Sequence, residues 1–518
     1  MNLKNNFLFI NNEFSNKHVI LSLVVIGIAG IILRLNYLPL DIPFLSDALL
    51  YFSYANDLNF LNQFPNGYNF TNNGWPTLVG FLFNLSPSTE ILQLMNFQRI
   101  VSIIISTITI IPVYYLCRKF FPNYLALIGV CIFIFEPKIV INSLLGITDP
   151  LYILLITSSL SLFLSKNKNY VFISFAFIAF SILVRYEGII WFCILTVIFF
   201  MHNKNEFNYK IILKYAIIII ISISIIAPML EIRIDTMGSD QISTKFQGGL
   251  NDVNISSNGE NRVLSFIAYL GNGLINLFKY LAWVMIPFLG IFVPIGAILA
   301  IKSKDQKIQF LIFGVIIVLA TSTLYAYSRG IQDTRYLYPL YPIFVVFSLF
   351  TIQKILEKIN KRKIITSIII TIILISSITY LEIKSIDIEH EREALEIFKE
   401  IYHITNGING INTIYHESSY ITVISLLEQN EPVLINNFER NIKHINFDKD
   451  LELKEFIKNN SNNGLSHIVI DDREDGPNFF KILMKNEKIK YLEEVYDSKE
   501  NGFNYHVKVF KIDYSKLN

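Results

Sequence analysis

PFLSDALLYFSYANDL, residues 43–58, follows directly on the first long apolar run of the chain, 19–38, and sets a carboxylate, Asp47, just outside it. Ten further stretches of spanning character follow, at roughly 99–117, 123–140, 150–165, 169–184, 188–201, 211–230, 283–301, 308–328, 336–353 and 364–380. A bilayer span takes about 20 mostly apolar residues. The composition agrees: 52% hydrophobic, 14% aromatic and a mean hydropathy of +0.45, too apolar for a soluble chain of 518 residues. Two shorter apolar segments, 76–85 and 263–282, read as helices lying in the interface or re-entering it. The expected fold class is an α-helical polytopic membrane protein of about eleven spans plus interfacial helices, with a small extracytoplasmic α/β domain at its C-terminal end.

The first apolar run begins only after residue 18 and lacks a small-residue cleavage site, so it reads as a retained span. Cys117, Cys131 and Cys193 all fall in apolar runs, so no disulfide framework is expected, and no Cys-x-x-Cys metal spacing occurs.

Charge orients the chain. One alternate set of loops carries 17 Lys and Arg against four acids, and the other set, up to residue 380, carries 10 against 13. Basic loops stay cytoplasmic. The N-terminus is therefore expected in the cytoplasm of a plasma-membrane protein, with the long irregular loops and the C-terminal region outside. Four Asn-x-Ser/Thr sequons (Asn69, Asn84, Asn254, Asn459) fall on the outer side, as chance allows in an Asn-rich chain. From residue 381 the chain holds 17 basic and 25 acidic residues. A helical period at 388–402 precedes expected strands NTIYH, EPVLIN, SHIVID and YHVKVFKIDY, alternating with helices LELKEFIKNN and FFKILMKN. This divides the chain into a core, 1–380, and an α/β domain, 381–518.

Ionisable residues at a membrane boundary are costly, and so point to function. Asp47, with Asp41 and Asp57 nearby, suits a general base or a cation ligand, or else a solvated loop acid at a helix start. Thr148-Asp149-Pro150 has the chemistry of a helix N-terminus, from which Asp149 can still face a cleft. Glu136 and Lys138 stand at the end of a span. In LVRYEG, Arg185 and Glu187 are two residues apart and do not share a helix face, which argues against their pairing within a helix. Arg185 suits a phosphate, or snorkels at the interface. SRGIQDTRYLYPLYP places Arg329, Asp333, Arg335 and Tyr336 before the tenth span, either for an anionic headgroup or as a hairpin tied by Asp333. His416, Glu417, Asp471 and Asp472 in the tail are polar surface or a further site.

No GxxxxGK[ST] or GxGxxG occurs, and the cytoplasmic loops are too short to fold around a nucleotide sugar. An activated donor would then arrive through the membrane, with its phosphate at the interface beside Arg185 and Arg335.

A span ending in Arg34, then SDALLYFSYANDL, then GWPTLVGFLF resembles the first outer loop of C-type membrane glycosyltransferases; GITDPLY, LVRYEG and RYLYPLYP resemble later blocks of that superfamily. It includes protein O-mannosyltransferases and aminoarabinose transferases, and the likeness covers roughly residues 20–355. The resemblance implies a polyprenyl (dolichyl or undecaprenyl) phosphate sugar as donor and a protein, lipid or glycan acceptor. It implies Asp47 as the catalytic acid residue and Asp149 as a second acid. A divalent cation, magnesium or manganese, would be shared by these two if one is used. Arg185 and Arg335 would be donor-phosphate ligands, with Glu136, Lys138, Glu187 and Tyr336 lining the acceptor site or cleft. No nucleic acid is implied. Two departures stand out. NGYNFTNNGWPTLV lacks the Lys or His that many relatives carry in the second half of this loop, and the tail has no Trp-Trp-Asp-Tyr-Gly motif of oligosaccharyltransferases. The rival classes are a polyprenyl-lipid or solute transporter, which would show repeats and mid-membrane charge, and a scaffold to which Asp47 would be dispensable.

Overall fold

The computed structural model describes residues 16–68, 70–203, 208–240, 262–358, 362–384, 386–411, 417–428, 443–447, 451–472, 477–485 and 488–517. Asn69, Asn254, His416, the side chain of Glu417 and the strands expected at 412–416 and 431–436 lie outside the described residues, as do Lys4, Glu13, Lys204, Glu206 and Lys361 of the loop charges.

Contacts divide the chain into two compact units. The first comprises 1–38, 69–75 and 99–385; the second comprises 39–68, 76–98 and 386–518. One boundary falls a few residues from the expected cut at 380. What the sequence did not suggest is that most of the first outer loop groups with the C-terminal residues.

The helices run α1 (Asn16–Asn36), α2 (Ser46–Leu61), α3 (Gly74–Phe83), α4 (Ile91–Ile108), α5 (Ile110–Cys117), α6 (Asn123–Ile134), α7 (Pro137–Leu144), α8 (Asp149–Phe163), α9 (Tyr170–Val184), α10 (Gly188–His202), α11 (Tyr209–Met237), α12 (Arg262–Met285), α13 (Leu289–Ile301), α14 (Gln306–Tyr325), α15 (Tyr341–Glu357) and α16 (Arg362–Lys384). Among the described residues, six helices are long and apolar enough to cross a bilayer. The number is eight if the bent pairs α6–α7 (51°) and α12–α13 (112°) each count as one span. The runs expected at 150–165, 169–184 and 188–201 form helices of 15 residues each, short of a full span. The segment read as a broken interfacial helix, 263–282, lies within a single 24-residue helix, α12. It takes up the first residues of the span expected at 283–301. Gly273 is no breaker there, because a Cβ on it would collide with Ser328 and Thr323; it is a packing notch.

Arg34 shows how unit 1 tolerates broken helices. Pro137 ends α6 and restarts the chain as α7, which leaves carbonyls at the end of α6 without helical partners. Where water is absent such groups must be satisfied internally. The fully buried Arg34 guanidinium donates to the Ile134 carbonyl at 3.1 Å, to Ser143 Oγ at 3.0 Å, to Ser106 Oγ at 3.2 Å and to the Gly30 carbonyl at 3.0 Å. Gly30 admits the close approach, since a Cβ there would collide with Ile134.

In unit 2 the apolar face of α2 is closed by rings. Phe52 stands 6.1 Å from Phe44 and 5.9 Å from Phe83, and Phe83 stands 6.2 Å from Phe97. The C-terminal part of unit 2 adds α17 (Ile388–Thr405), α18 (Glu417–Glu428), α19 (Leu453–Asn460) and α20 (Asn478–Met484). They accompany a mixed sheet of β1 (Ile408–Ile411), β2 (His444–Asn446), β3 (Leu465–Asp471), β4 (Leu492–Asp497) and β5 (Val507–Ile512). The strand order is β2-β1-β3-β5-β4, parallel as far as β3 and antiparallel after it. Both faces are covered. Val469, Val507 and Val509 enter one core with Phe398 and Tyr420; Ile468, Ile470 and Phe510 enter another with Phe456 and Phe480. Two-sided burial is why SHIVID reads as a continuous apolar run. Leu45, two residues before Asp47, packs against the first of these cores.

Two outcomes follow from these contacts. Arg34→Met strands the Ile134 carbonyl and is expected to lower the thermal unfolding midpoint through a loss of about 1–3 kcal/mol; an unchanged midpoint would show that the carbonyl has another partner. Burial lowers the pKa of His444 from 6.5 to about 4. Below pH 6.5 the unfolded chain takes up a proton that the folded chain refuses, so full stability holds above that pH and declines toward pH 4. Unfolding midpoints measured across that window should fall with pH, and less steeply in His444→Gln.

Candidate active site

Three helix ends of unit 1 meet around one guanidinium. Helix α8 begins at Asp149, after a turn in which Gly146 takes φ +67°. Helix α9 ends at Val184, and Arg185 leaves it extended, at φ −146° and ψ 127°. Glu187 is the N-cap residue of α10. The extended link lets Arg185 and Glu187 meet: Nη2 donates to Oε1 at 2.9 Å and Nε to Oε2 at 3.4 Å. The i, i+2 argument holds within a helix; this pair forms outside one, because α9 ends one residue before Arg185. Arg185 Nη1 also reaches Asp149 Oδ1 at 2.5 Å. Both carboxylates stand at helix N-termini and the cation at a helix C-terminus, so all three charges suit the helix dipoles.

Asp149 is 1% exposed. It serves as the first residue of its helix, and the Thr148 side chain makes no capping bond. Its Oδ2 is buried with no hydrogen-bond partner. One cation against two acids leaves the cluster formally negative by one charge. The Arg185 guanidinium also lies 5.9 Å from the ring centroids of both Tyr152 and Tyr336. Tyr336 continues into a wall of tyrosines, 6.2 Å from Tyr325 and 6.5 Å from Tyr327, with Tyr186 6.0 Å from Tyr325.

Residues 71–75 hold the segments that carry these groups. Trp75 Nε1 donates to the Gly146 carbonyl at 2.9 Å, and the Tyr186 amide donates to Asn72 Oδ1 at 3.4 Å. Gly74 is pressed to the end of α9, where a Cβ would come within 2.7 Å of the Leu183 backbone. Arg233, fully buried on α11, donates through Nε to Asn73 Oδ1 at 2.8 Å and through Nη2 to the Thr71 and Leu183 carbonyls. The loop that lacks its own Lys or His thus meets a cation from a helix about 160 residues further on.

Of the expected site residues, Asp149, Arg185, Glu187 and Tyr336 come together. Arg335 is tied to Asp333 at 2.8 Å between Nε and Oδ2, and Asp333 also accepts the Arg335 amide. Glu136 and Lys138 form a second group at the α6–α7 bend. Lys138 donates to the Ile286 carbonyl and lies 4.6 Å from the Tyr380 ring and 5.9 Å from Trp283, while Glu136 Oε1 is buried with no hydrogen-bond partner. Tyr338 lies within electrostatic reach of Asp149, Asp333 and Tyr380.

Asp47 belongs to unit 2. It is exposed, in the first turn of α2, directly after Ser46, a non-glycine residue at φ +51°. Such strain concentrates at functional sites. Its neighbouring acids are accounted for: Asp41 accepts from Asn96 at 3.2 Å, and the buried Asp57 accepts from Tyr68 at 2.6 Å.

Among the described residues, no three His, Cys, Asp or Glu side chains gather as a metal set, and Asp149 and Glu187 both turn to Arg185. The residues present do not fit a bound divalent cation, and no chemical step is derived through one. Sequence reading missed Arg233 and Tyr152. Tyr152 had a signal, since it lies three residues from Asp149 on the same helical face; Arg233 had none beyond being a charge in an apolar helix.

A family model described as "Predicted membrane protein (DUF2079)" matches residues 78–444. No curated protein sequence matches the chain. Among solved structures, ArnT from Cupriavidus metallidurans bound to undecaprenyl phosphate aligns with a TM-score of 0.57 at 11% identity, covering 97% of this chain and 99% of that one. The Archaeoglobus fulgidus oligosaccharyltransferase, in complex with zinc and sulfate, gives 0.57 at 14% identity, covering 87% of this chain and 68% of that one. The oligosaccharyltransferase AglB of the same organism, in complex with an inhibitory peptide and a dolichol-phosphate, gives 0.57 at 13%, covering 88% and 69%. At such identities the likeness shows the fold.

Arg185→Met leaves the buried Asp149 and the part-buried Glu187 without this cation, and is expected to cost about 3–5 kcal/mol. The triple variant Arg185→Met/Asp149→Asn/Glu187→Gln should recover part of that loss. Thermal unfolding of the three proteins in detergent measures it, and equal midpoints for single and triple variants would remove charge balance from the account.

Proposed function

Since the chain belongs to the predicted membrane protein family DUF2079 and is built on the fold of C-type membrane glycosyltransferases, we propose that it transfers a sugar from a polyprenyl-phosphate donor to a protein, lipid or glycan acceptor at the outer face of the membrane. The observation that carries this reading is the buried Asp149–Arg185–Glu187 cluster, with an unused Asp149 oxygen, beside a wall of tyrosines. Two of the solved relatives bind undecaprenyl phosphate and dolichol-phosphate, which favours a lipid-linked donor. The proposed topology has eleven spans: the six long helices, the two bent pairs and the three 15-residue helices α8, α9 and α10. The N-terminus is cytoplasmic in the plasma membrane, as the Lys-rich loops direct, and the α/β portion of unit 2 is extracytoplasmic.

In the proposed reaction the acceptor heteroatom attacks the anomeric carbon and its proton passes to a carboxylate. The bond from that carbon to the phosphate oxygen breaks, and the electron pair leaves on polyprenyl phosphate. Asp47, exposed after a strained residue, is the proposed base. Asp149 is the second acid, oriented by Arg185. Arg185 spends its donors on two carboxylates, so its first role is positioning. Arg335, half-buried and paired with Asp333, is the cation proposed for the departing phosphate. Tyrosine faces offer stacking surface to the sugar ring. Transfer of a whole oligosaccharide to asparagine is not part of this reading: Trp75 and Trp191 are buried in unit 1 and Trp283 lies beside Lys138, so no tryptophan stands in the tail.

The test is transfer from a radiolabelled polyprenyl-phosphate sugar in membranes holding the protein. Asp47→Asn is expected to lower the rate at least ~100-fold, within the range of general acid–base catalysis. Asp149→Asn should do the same, with insertion and melting of Asp47→Asn unchanged. Equal rates with Asp47→Asn would remove that residue from the mechanism, and no transfer from any of several donors would overturn the reading.

A further inference from the structure

Unit 1 contains a second group of charges that the reading above does not use. Where the α8–α9 connection, the end of α10 and the first turns of α11 meet the start of α14, there is a cavity of about 230 Å³. Its floor is apolar: Phe163, Phe172, Phe199 and Phe310 line it, and Phe163 and Phe199 lie 6.3 and 6.5 Å from the fully buried Phe175. Its rim is cationic. Lys168, Lys214 and Lys307 line it together with His202, whose ring meets Phe310 edge-on at 6.3 Å. Lys119 lies within electrostatic reach of Lys307.

The one acid in the lining among the described residues, Asp305, is already engaged. It caps α14, accepting the Lys307 amide at 2.8 Å. The 20-residue helix it caps brings the positive end of its dipole to the same rim. Among the described residues the cavity thus joins a mouth with more lysines than acids to an aromatic floor.

The volume narrows the choice of ligand. Pockets for cofactors and drug-sized molecules run from about 300 to 1,000 Å³, so a nucleotide does not fit. Inorganic phosphate would leave the phenylalanine floor without a function. A phosphate carried on a hydrocarbon chain uses both parts, and basic pockets between spans on the Lys-rich side suit lipid head groups. We propose that this cavity binds the phosphate head group of an anionic lipid from the leaflet that borders the Lys-rich loops, with the lysines on the phosphate and the phenylalanines under the first carbons of the chain. The proposal is independent of the transferase reading.

The full-length protein, purified in mild detergent, would be mixed with dioleoyl phosphatidylglycerol, dioleoyl phosphatidylcholine, a polyprenyl monophosphate or inorganic phosphate, and followed by native mass spectrometry and thermal unfolding. The wild type should retain one anionic lipid per chain. Lys168→Gln/Lys214→Gln/Lys307→Gln should bind it at least tenfold more weakly, Lys214→Gln alone should give an intermediate loss, and Lys166→Gln, outside the lining, should not differ from wild type. Stronger retention of the polyprenyl monophosphate than of the phosphatidylglycerol would support the proposal and name the lipid. It would be overturned by equal retention of phosphatidylcholine, by equal lipid binding in the single and triple variants and the wild type, or by thermal protection from inorganic phosphate matching that from lipid.

Discussion

A backbone carbonyl freed by a broken helix in an apolar medium needs a donor from somewhere else in the chain. Unit 1 meets that constraint repeatedly with buried polar side chains. Arg34 serves Ile134 where α6 stops, Lys138 serves Ile286 between α12 and α13, and Arg233 serves Leu183 near the end of α9. Tyr341 and Trp75 do the same for Val284 and Gly146. In most of these pairs the two partners are more than 50 residues apart in the chain, so the breaks in the helices are also the points where distant segments are fixed to one another. Irregular backbone persists inside this unit because each break is tied to another element.

The candidate site arises from the same arrangement. A break between α9 and α10 only a few residues long releases Arg185 from helical geometry and leaves Glu187 at the next N-terminus. The start of α8 supplies Asp149. Two acids at positive helix ends and one cation at a negative end are placed where the dipoles already favour them. The unit can therefore hold three charges together in a largely buried place. The cost of the arrangement shows at Asp149 Oδ2, which is buried with no hydrogen-bond partner among the described residues. A buried acceptor left in that state is worth retaining if a substrate proton or donor meets it during turnover.

The sequence carried the site better than the span count. Thr148-Asp149-Pro150 and LVRYEG were legible because helix-breaking residues beside charges in apolar runs are rare. Tyr336 was legible as an aromatic next to Arg335. The Arg185–Glu187 pair was not foreseen because the rule applied to it speaks only of pairing inside a helix, and nothing local showed that α9 ends at Val184. Arg233 was illegible for a deeper reason: its partner Asn73 is remote in the chain, and no local pattern encodes a contact of that range. Hydropathy located the apolar runs but could not separate a straight span from a bent pair such as α6–α7. GNG in α12 read as a breaker because the sequence does not show that Ser328 and Thr323 crowd Gly273. In unit 2 the apolar run of β3 was plain, whereas β2, three residues long, and β4, LEEVYD, were not; the latter alternates too little to be told from a loop.

Charge distribution also separates the rival functional classes. A transporter needs ionisable groups along a route through the middle of its bundle, reachable in turn from both sides. In unit 1 the charges that bear on function form two groups of opposite sign. One is acidic and built on helix ends with tyrosines around it; the other is basic, rimming a cavity floored by phenylalanine. An acid-rich group can take a proton from an acceptor and needs a separate cation, such as Arg335, for a donor phosphate, while a lysine-rich mouth suits a phosphate that only binds. A single substrate passing from one to the other would meet opposite electrostatics at its two stops. Two separate tasks, proton transfer at one group and phosphate binding at the other, fit that polarity without conflict.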